Sequence, residues 1–148
     1  MKRTKDWLKQ AEHDVQAAKD SMLNEHNEWA CFQSQQAAEK AFKAIFLSVN
    51  IDAWGHSLVH LLKRWQEECK KTDFPLTHLE TFSFDLLLEK CQELDRHYIQ
   101  PRYPNGFASG FPAEYYNRKI ASQCIQYAED LIAFAKETIK QVPPLEGT

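Results

Sequence analysis

The fold is decided by the stretch Trp29-Ala30-Cys31-Phe32-Gln33-Ser34-Gln35-Gln36-Ala37-Ala38-Glu39-Lys40-Ala41-Phe42-Lys43-Ala44-Ile45-Phe46. Apolar residues cover most of its circumference when it is wound as a helix, a pattern typical of a helix surrounded by neighbours. One polar stripe interrupts them. In that stripe Glu39 precedes Lys43 by four residues, an order in which opposite charges attract on a helix surface. The stretch predicts the central helix of a bundle, over residues 27–50.

Helical periodicity also governs the sequence before this central helix. From about Thr4 to Met22, apolar residues recur at intervals of three and four, which predicts an amphipathic helix. Asp14 falls at the edge of its apolar stripe. A carboxylate there would lose solvation without a partner, so we expect it to meet a cation or an amide of another helix. The functional alternative is that Asp14 lines a polar pocket.

Three more helical segments are expected after the central helix. A short one follows a cap at Ser57, a longer one follows a capping box at Thr77–Glu80, and the last runs from Pro112 to about Ile139. No strand-like alternation occurs. The sequence therefore predicts an all-α domain over residues 1–142, an antiparallel up-and-down bundle of four long helices and one short helix, followed by a frayed tail over residues 143–148.

Composition limits the classes of function. The chain has 148 residues, enough for one well-buried core, and we expect a single domain. Its net charge of -3 and isoelectric point near 6.1 argue against a surface that grips a nucleic-acid backbone throughout. We find neither an uninterrupted apolar run of about eighteen residues nor an apolar signal region. We therefore expect a cytoplasmic protein with no membrane partner.

The cysteine and histidine spacings give no recognisable metal motif. The four cysteines form no C-x-x-C pair, and each lies within or beside a helical apolar pattern; they are Cys31, Cys69, Cys91 and Cys124. We interpret them as reduced core thiols, with a disulfide or metal role as the minor alternative. His56 and His60 stand four residues apart, but no third ligand follows at a familiar spacing. The sequence accordingly predicts no metal site and no cofactor.

The best candidate for a functional site is the segment Leu94–Gly106, where a periodic helix runs into a Pro/Gly-rich loop. An acid, two arginines, a histidine and two tyrosines are crowded into this segment, and charged and aromatic residues on a loop beside a rigid helix often form binding sites. The structural alternative is a helix C-terminus at which cations merely complement the helix dipole.

Taken together, these residues resemble the HEPN family of small bacterial and archaeal helical domains. The likeness runs through nearly the whole chain. It rests on Trp7, Ala11 and Asp14, on Phe32, on Gln35–Ala41 with Lys43-Ala44, on His56-Ser57-Leu58, on Leu94-Asp95, on Tyr98, on Arg102-Tyr103-Pro104, and on the alanine-spaced last helix.

The resemblance implies a homodimeric bundle. It also implies a nucleotidyltransferase partner acting with the chain as a toxin–antitoxin or nucleotide-transfer pair, and a link to nucleotide binding. Many family members are metal-independent ribonucleases that carry an arginine followed, after four to six residues, by a histidine. This sequence departs from that pattern at each of its arginines, namely Arg3, Arg64, Arg96, Arg102 and Arg118.

The leading hypothesis is therefore a non-catalytic dimeric module that binds a nucleotide or a nucleotide-bearing partner. Its expected ligand-binding residues are Asp95, Tyr98, Arg102 and Tyr103, backed by Glu39, Lys43 and His56. Arg102 would hold a phosphate, Tyr103 would stack on a base, and Asp95 would orient Arg102 or a sugar hydroxyl. A dimer is also expected because the central helix looks too apolar for one bundle to cover.

Two alternatives stay open at this point. In the first, the chain is a ribonuclease toxin with a rearranged site, in which His97 acts as general base and Arg102 stabilises the phosphorane. The adjacent pair Arg96 and His97 does not substitute for the spaced motif, because adjacent helical residues point about a hundred degrees apart. A dimer could instead bring His97 to the partner's Arg102. In the second, an ion pair between Asp95 and Arg102 only fastens the loop to the bundle.

Overall fold

The computed structural model describes residues 3–76 and 82–143. Every regular element within those residues is helical, so the all-α prediction is confirmed. The helices are α1 (Thr4–Leu23), α2 (Asn27–Ser48), α3 (Leu58–Thr72), α4 (Phe84–Asp95), α5 (Pro112–Tyr115) and α6 (Arg118–Gln141). A single 3-10 turn, Pro104–Gly106, lies between α4 and α5.

Helix α2 occupies the centre of the bundle, as its sequence predicts. It packs against all five other helices. Its buried side chains occur along the helix from Ala30 to Ser48 and point to several sides of it. Trp29, at 44% exposure, is the one large apolar side chain of α2 that is substantially exposed. The argument that α2 requires a second copy to cover it is therefore wrong, because the other helices of the same chain already cover it.

Helices α1 and α2 form an antiparallel hairpin through a tight turn at Asn24–His26. The turn is closed by the backbone amide of His26, which donates to the carbonyl of Ser21 over 2.8 Å. Asp14 meets the Nζ of Lys40 across this hairpin and accepts a hydrogen bond from Gln10. The expectation that Asp14 finds a cation on another helix is confirmed.

The lengths of the later helices differ from the prediction. Helix α3, expected to be short, has 15 residues, whereas α4 has 12. The sequence predicts one last helix from Pro112, but the structure has two, α5 and α6. They are separated because the backbone at Tyr116 and Asn117 is extended. The side chain of Asn117 accepts a hydrogen bond from the amide of Ile120 and so caps α6 as a new helix.

Helix α4 begins at Phe84 with Ser83 as its N-cap, whose hydroxyl accepts from the amide of Leu86 over 3.4 Å. The predicted capping box at Thr77–Glu80 lies outside the described residues, as does nearly all of the predicted tail, residues 144–148. In the described part of the chain, no helix combines the length and apolarity needed to cross a bilayer.

Candidate functional site

A compact turn follows α4 and carries most of the predicted site residues. The amide of His97 donates to the carbonyl of Leu94 over 2.9 Å, and the amide of Arg102 donates to the carbonyl of Ile99 over 3.0 Å. Pro101, which cannot extend a helix, is buried within this turn. The chain therefore folds back, and the side chain of Arg102 returns towards α2.

Arg102 is held against aromatic rings. Its Nε donates to the carbonyl of Tyr98 over 2.8 Å. Its guanidinium carbon lies 4.4 Å from the ring centre of Phe32, 4.8 Å from that of Tyr98 and 5.3 Å from that of Tyr103. Within residues 3–76 and 82–143 it forms no ion pair. The arrangement orients the charge by cation–π attraction without neutralising it.

A continuous run of contacts leads from Arg102 back to α2. The imidazole of His56 stacks on the ring of Tyr98, with 4.9 Å between centres and 18° between planes. Its Nδ1 lies 3.0 Å from Oε1 of Glu39, whose Oε2 lies 2.9 Å from the Nζ of Lys43. The structure therefore places Lys43, Glu39, His56, Tyr98 and Arg102 in one connected group, although they come from three parts of the chain.

Glu39 is the buried member of this group. Its side chain is 8% exposed, whereas that of His56 is 57% exposed. A carboxylate at that depth needs compensating partners, which Lys43 and His56 provide. The backbone carbonyl of His56 is itself fixed by Nε2 of Gln35 over 2.8 Å. Helix α2 thus sets the position of the loop residue that stacks on Tyr98.

Asp95 binds the N-terminus of α3 and is not part of the connected group around Arg102. Its carboxylate accepts hydrogen bonds from the backbone amides of Leu58 and Val59, at 2.9 and 3.0 Å, and from the hydroxyl of Ser57 at 3.1 Å. These groups form the N-terminus of α3, where a negative charge is stabilised. The expected pairing or orientation of Arg102 by Asp95 is therefore wrong, since Asp95 joins α4 to α3.

His97 lies inside the bundle. The residue is 7% exposed; its Nδ1 is 2.8 Å from the hydroxyl of Tyr116, and its Nε2 is 3.0 Å from a carboxylate oxygen of Glu93. The neighbouring Arg96 points outward, with its side chain 73% exposed. Both ring nitrogens of His97 contact protein groups, which argues against the ribonuclease alternative, in which His97 is the general base on an external substrate.

Two cysteines surround His97. Cys31 and Cys124 are fully buried, and their sulfurs and a His97 ring nitrogen all lie within 4.8 Å of one another. The neighbouring Cys31 and His97 lower the pKa of the Cys124 thiol, while the neighbouring Cys124 and burial raise the pKa of the Cys31 thiol. Burial alone would lower the pKa of His97, but its contacts with Cys124 and Glu93 raise it.

The comparison with protein families agrees with this architecture. A sequence model of the HEPN domain matches residues 4–138. The chain belongs to the HEPN domain family. The match covers α1 and α2 and ends within α6, so it includes all the residues of the connected group around Arg102. The resemblance inferred from the sequence is confirmed.

Several proteins are similar to this HEPN chain over nearly its whole length. A protein of Methanocaldococcus jannaschii named "Putative toxin MJ1304" is 28% identical over 95% of this chain and 91% of its own length. The crystal structure of TT1696 from Thermus thermophilus has a TM-score of 0.79 and 36% identity, covering 93% of this chain and 99% of that chain.

Two further crystal structures support the same assignment. ST0689, described as an archaeal HEPN homologue, has a TM-score of 0.71 and 35% identity, covering 94% of this chain and 99% of that chain. A HEPN domain protein of Thermotoga maritima has a TM-score of 0.68 and 30% identity, covering 93% of this chain and 99% of its own.

Sequence reasoning missed the cluster around His97. Cys31, His97 and Cys124 belong to three separate parts of the chain, and their spacing resembles no metal or redox motif. The sequence contains only weaker signals for this cluster. One is that Cys31 and Cys124 each occupy an apolar position of a helix. Glu93 also lies four residues before His97, on the same side of the helix that ends there.

Proposed function

We propose that this HEPN chain is a dimeric, non-catalytic module that binds a nucleotide or a nucleotide-bearing partner through the connected group around Arg102. In this proposal it acts with a nucleotidyltransferase in a toxin–antitoxin-type pair. The observation that carries the proposal is that, within the described residues, the protein uses only one of the nitrogen donors of Arg102. Its Nε is fixed by Tyr98, while its two terminal nitrogens have no protein acceptor in the part of the chain that the structure describes.

This geometry suits a phosphate. A planar guanidinium offers two parallel donors to a pair of phosphate oxygens, and the rings beneath Arg102 limit its rotation before a ligand arrives. Preorganisation of this kind reduces the entropy lost on binding. Because the charge of Glu39 is already paired with Lys43, it does not cancel the positive charge of Arg102.

An exposed aromatic ring lies close enough to Arg102 to stack on the base of a nucleotide whose phosphate is held there. Tyr103 lies beside Arg102 and is 50% exposed, which leaves ring surface available for stacking. On the opposite side of the group, Lys43 borders a shallow groove that is also lined by Trp7 and Trp54. A nucleotide on Arg102 would thus have Tyr103 as a stacking partner, and a larger nucleic-acid or protein ligand could extend towards the groove at Lys43.

The proposed homodimer rests on a surface other than α2. Ile99, Phe111 and Tyr115 are exposed apolar side chains of the segment between α4 and α6. Exposed apolar groups gathered in one segment often mark an interface. We assign a second copy of the chain to this surface, in keeping with the dimer that the HEPN resemblance implies.

The toxin–antitoxin part of the proposal is supported by the similarity to the M. jannaschii protein that is named as a toxin. The ribonuclease alternative has less support. Its proposed base, His97, is buried against Tyr116 and Glu93, whereas Arg102 contacts the rings of Phe32 and Tyr98.

Calorimetric titration tests the proposal directly. The wild-type chain is titrated with nucleoside mono-, di- and triphosphates, with a 5′-phosphorylated single-stranded RNA, and with any nucleotidyltransferase encoded beside it. Saturable binding to a member of this set supports the proposal. A matched nucleoside that lacks phosphate is the control and should bind at least tenfold more weakly. The absence of binding across the whole set would contradict the proposal.

A further inference from the structure

The buried cluster of Cys31, His97 and Cys124 stands apart from the connected group around Arg102. Cys31 belongs to α2, Cys124 to α6, and His97 to the turn after α4. Their ligand atoms lie within 4.8 Å of one another inside the bundle. From this geometry we propose that the three side chains bind one soft divalent cation, with Zn²⁺ as the best fit.

The ligand chemistry favours zinc. Thiolate and imidazole are the ligands of structural zinc sites, at bond lengths of about 2.3 Å for sulfur and about 2.0 Å for nitrogen. Ligand atoms around a tetrahedral ion of that size lie roughly 3.5 to 3.8 Å apart. The farthest ligand atoms of the cluster would thus have to approach one another by about 1 Å.

The surroundings of His97 support the same assignment. A histidine that binds a metal usually donates its second ring N–H to a carboxylate or carbonyl. Here Nε2 faces the carboxylate of Glu93 at 3.0 Å, so Nδ1 is the nitrogen that would bind the cation. Cation binding would replace the contact of Nδ1 with the Tyr116 hydroxyl, which lies 2.8 Å away.

Charge balance explains how such a site could exist in a core. Two thiolates and a divalent cation sum to zero, so the occupied site would not leave an uncompensated charge away from water. Cation binding would release protons from the thiols. A nucleophilic role for Cys124, activated by His97 and Glu93, is less suitable because the Cys124 side chain is fully buried and no substrate could approach it.

The site would clamp three elements that are remote in sequence. His97 immediately precedes Tyr98, which supports both His56 and Arg102. A bound cation would therefore stiffen the turn that presents Arg102, in addition to joining α2 and α6. The metal proposal itself does not depend on the proposed nucleotide binding.

Cobalt titration tests the site. The full chain is stripped with a chelator under reducing conditions and titrated with Co²⁺, which absorbs visibly when tetrahedral and bound by thiolates. We expect saturation at one equivalent per chain, followed by loss of the absorption when Zn²⁺ is added. Zinc at about a hundredfold excess over its dissociation constant should raise the melting temperature by roughly 5 to 10 °C.

Variants separate the site from general packing. Cys124→Ser and His97→Gln should lose the cobalt spectrum, while Cys69→Ala, at another buried cysteine on α3, should keep it. Circular dichroism without metal checks that each variant is folded. If a variant fails to fold, the wild-type titration still decides the matter.

Three results would overturn the proposal. One is a wild-type chain without thiolate-type cobalt absorption. Another is a spectrum that persists in folded Cys124→Ser or is lost in folded Cys69→Ala. The third is a disulfide between Cys31 and Cys124 in the protein as isolated, seen as a mass lower by two hydrogens and as loss of two titratable thiols after denaturation.

Discussion

The carboxylate of Asp95 accepts a hydrogen bond from the backbone amide of Leu58 at 2.9 Å, so the last residue of α4 caps the first turn of α3. Two motifs of the HEPN resemblance, Leu94-Asp95 and His56-Ser57-Leu58, are brought together by this contact. The cap also fixes the backbone beside His56, which stacks on Tyr98. Asp95 therefore helps to position the loop residue that stacks on Tyr98 in the candidate site.

Replacing Asp95 should reduce stability more than ligand affinity. Asp95→Ala removes the acceptor of two backbone amides and one hydroxyl, so we expect a loss of about 2 kcal/mol in the free energy of unfolding. Glu89→Ala, at an exposed acid on the same helix, should change it by less than about 0.5 kcal/mol. Urea denaturation measures both, and equal effects would contradict the capping role.

Glu39 should also be important for stability. Glu39→Gln would leave the largely buried ammonium of Lys43 without a matching charge and would weaken the contact with His56, and we expect a loss of about 1 to 3 kcal/mol. Glu12→Gln breaks the exposed pair with Lys136 and should cost less than about 1 kcal/mol. Thermal or denaturant unfolding compares the two. A smaller loss for Glu39→Gln than for Glu12→Gln would show that the buried pair is not stabilising.

The dimer proposal predicts a solution mass of twice the 17.3 kDa chain. Ile99→Asp should shift that mass towards the monomer, because it places a charge on a side chain that is 59% exposed within the proposed interface. Leu23→Asp introduces the same charge at the exposed end of α1 and should leave the mass unchanged. Light scattering at micromolar concentration measures all three, and a monomeric wild type would remove the claim.

The purified chain should not cleave structured RNA at a useful rate. Its arginines lack the histidine spacing of the ribonuclease members, and both ring nitrogens of His97 contact protein groups. Gel analysis of an RNA substrate after prolonged incubation provides the measurement. Cleavage that is lost in both His97→Gln and Arg102→Ala would instead support the rearranged ribonuclease site.

Much of the helical framework was accessible from the sequence because it depends on local patterns. Helices α1 and α2 follow their apolar periodicities, and Ser57 lies where a capping residue was expected. The division between α5 and α6 was missed. Asn117 can cap a helix, but nothing nearby in the sequence shows that the backbone must extend there first.

The candidate site was only partly accessible, since its arrangement depends on contacts between remote segments. The sequence picked out Arg102 and His56, but their shared contact with Tyr98 requires the turn at Pro101 and the loop before α3. No local pattern indicated that Asp95 faces α3 or that His97 faces two cysteines. Helical periodicity weakens at the end of α4, where these side-chain directions are set.

Titration of Arg102 variants with the nucleotide that the wild type binds most tightly tests the central claim most directly. Arg102→Ala should weaken binding by about tenfold or more, equivalent to about 1.4 kcal/mol, with a change in stability near 1 kcal/mol. Arg102→Lys should recover only part of the affinity, because it keeps the charge but loses the planar donors. Arg96→Ala, which removes an exposed arginine from the same turn, is the matched control and should bind as the wild type does. Equal affinity in Arg102→Ala and wild type, together with a large loss of stability, would show that Arg102 serves the scaffold and would contradict the account.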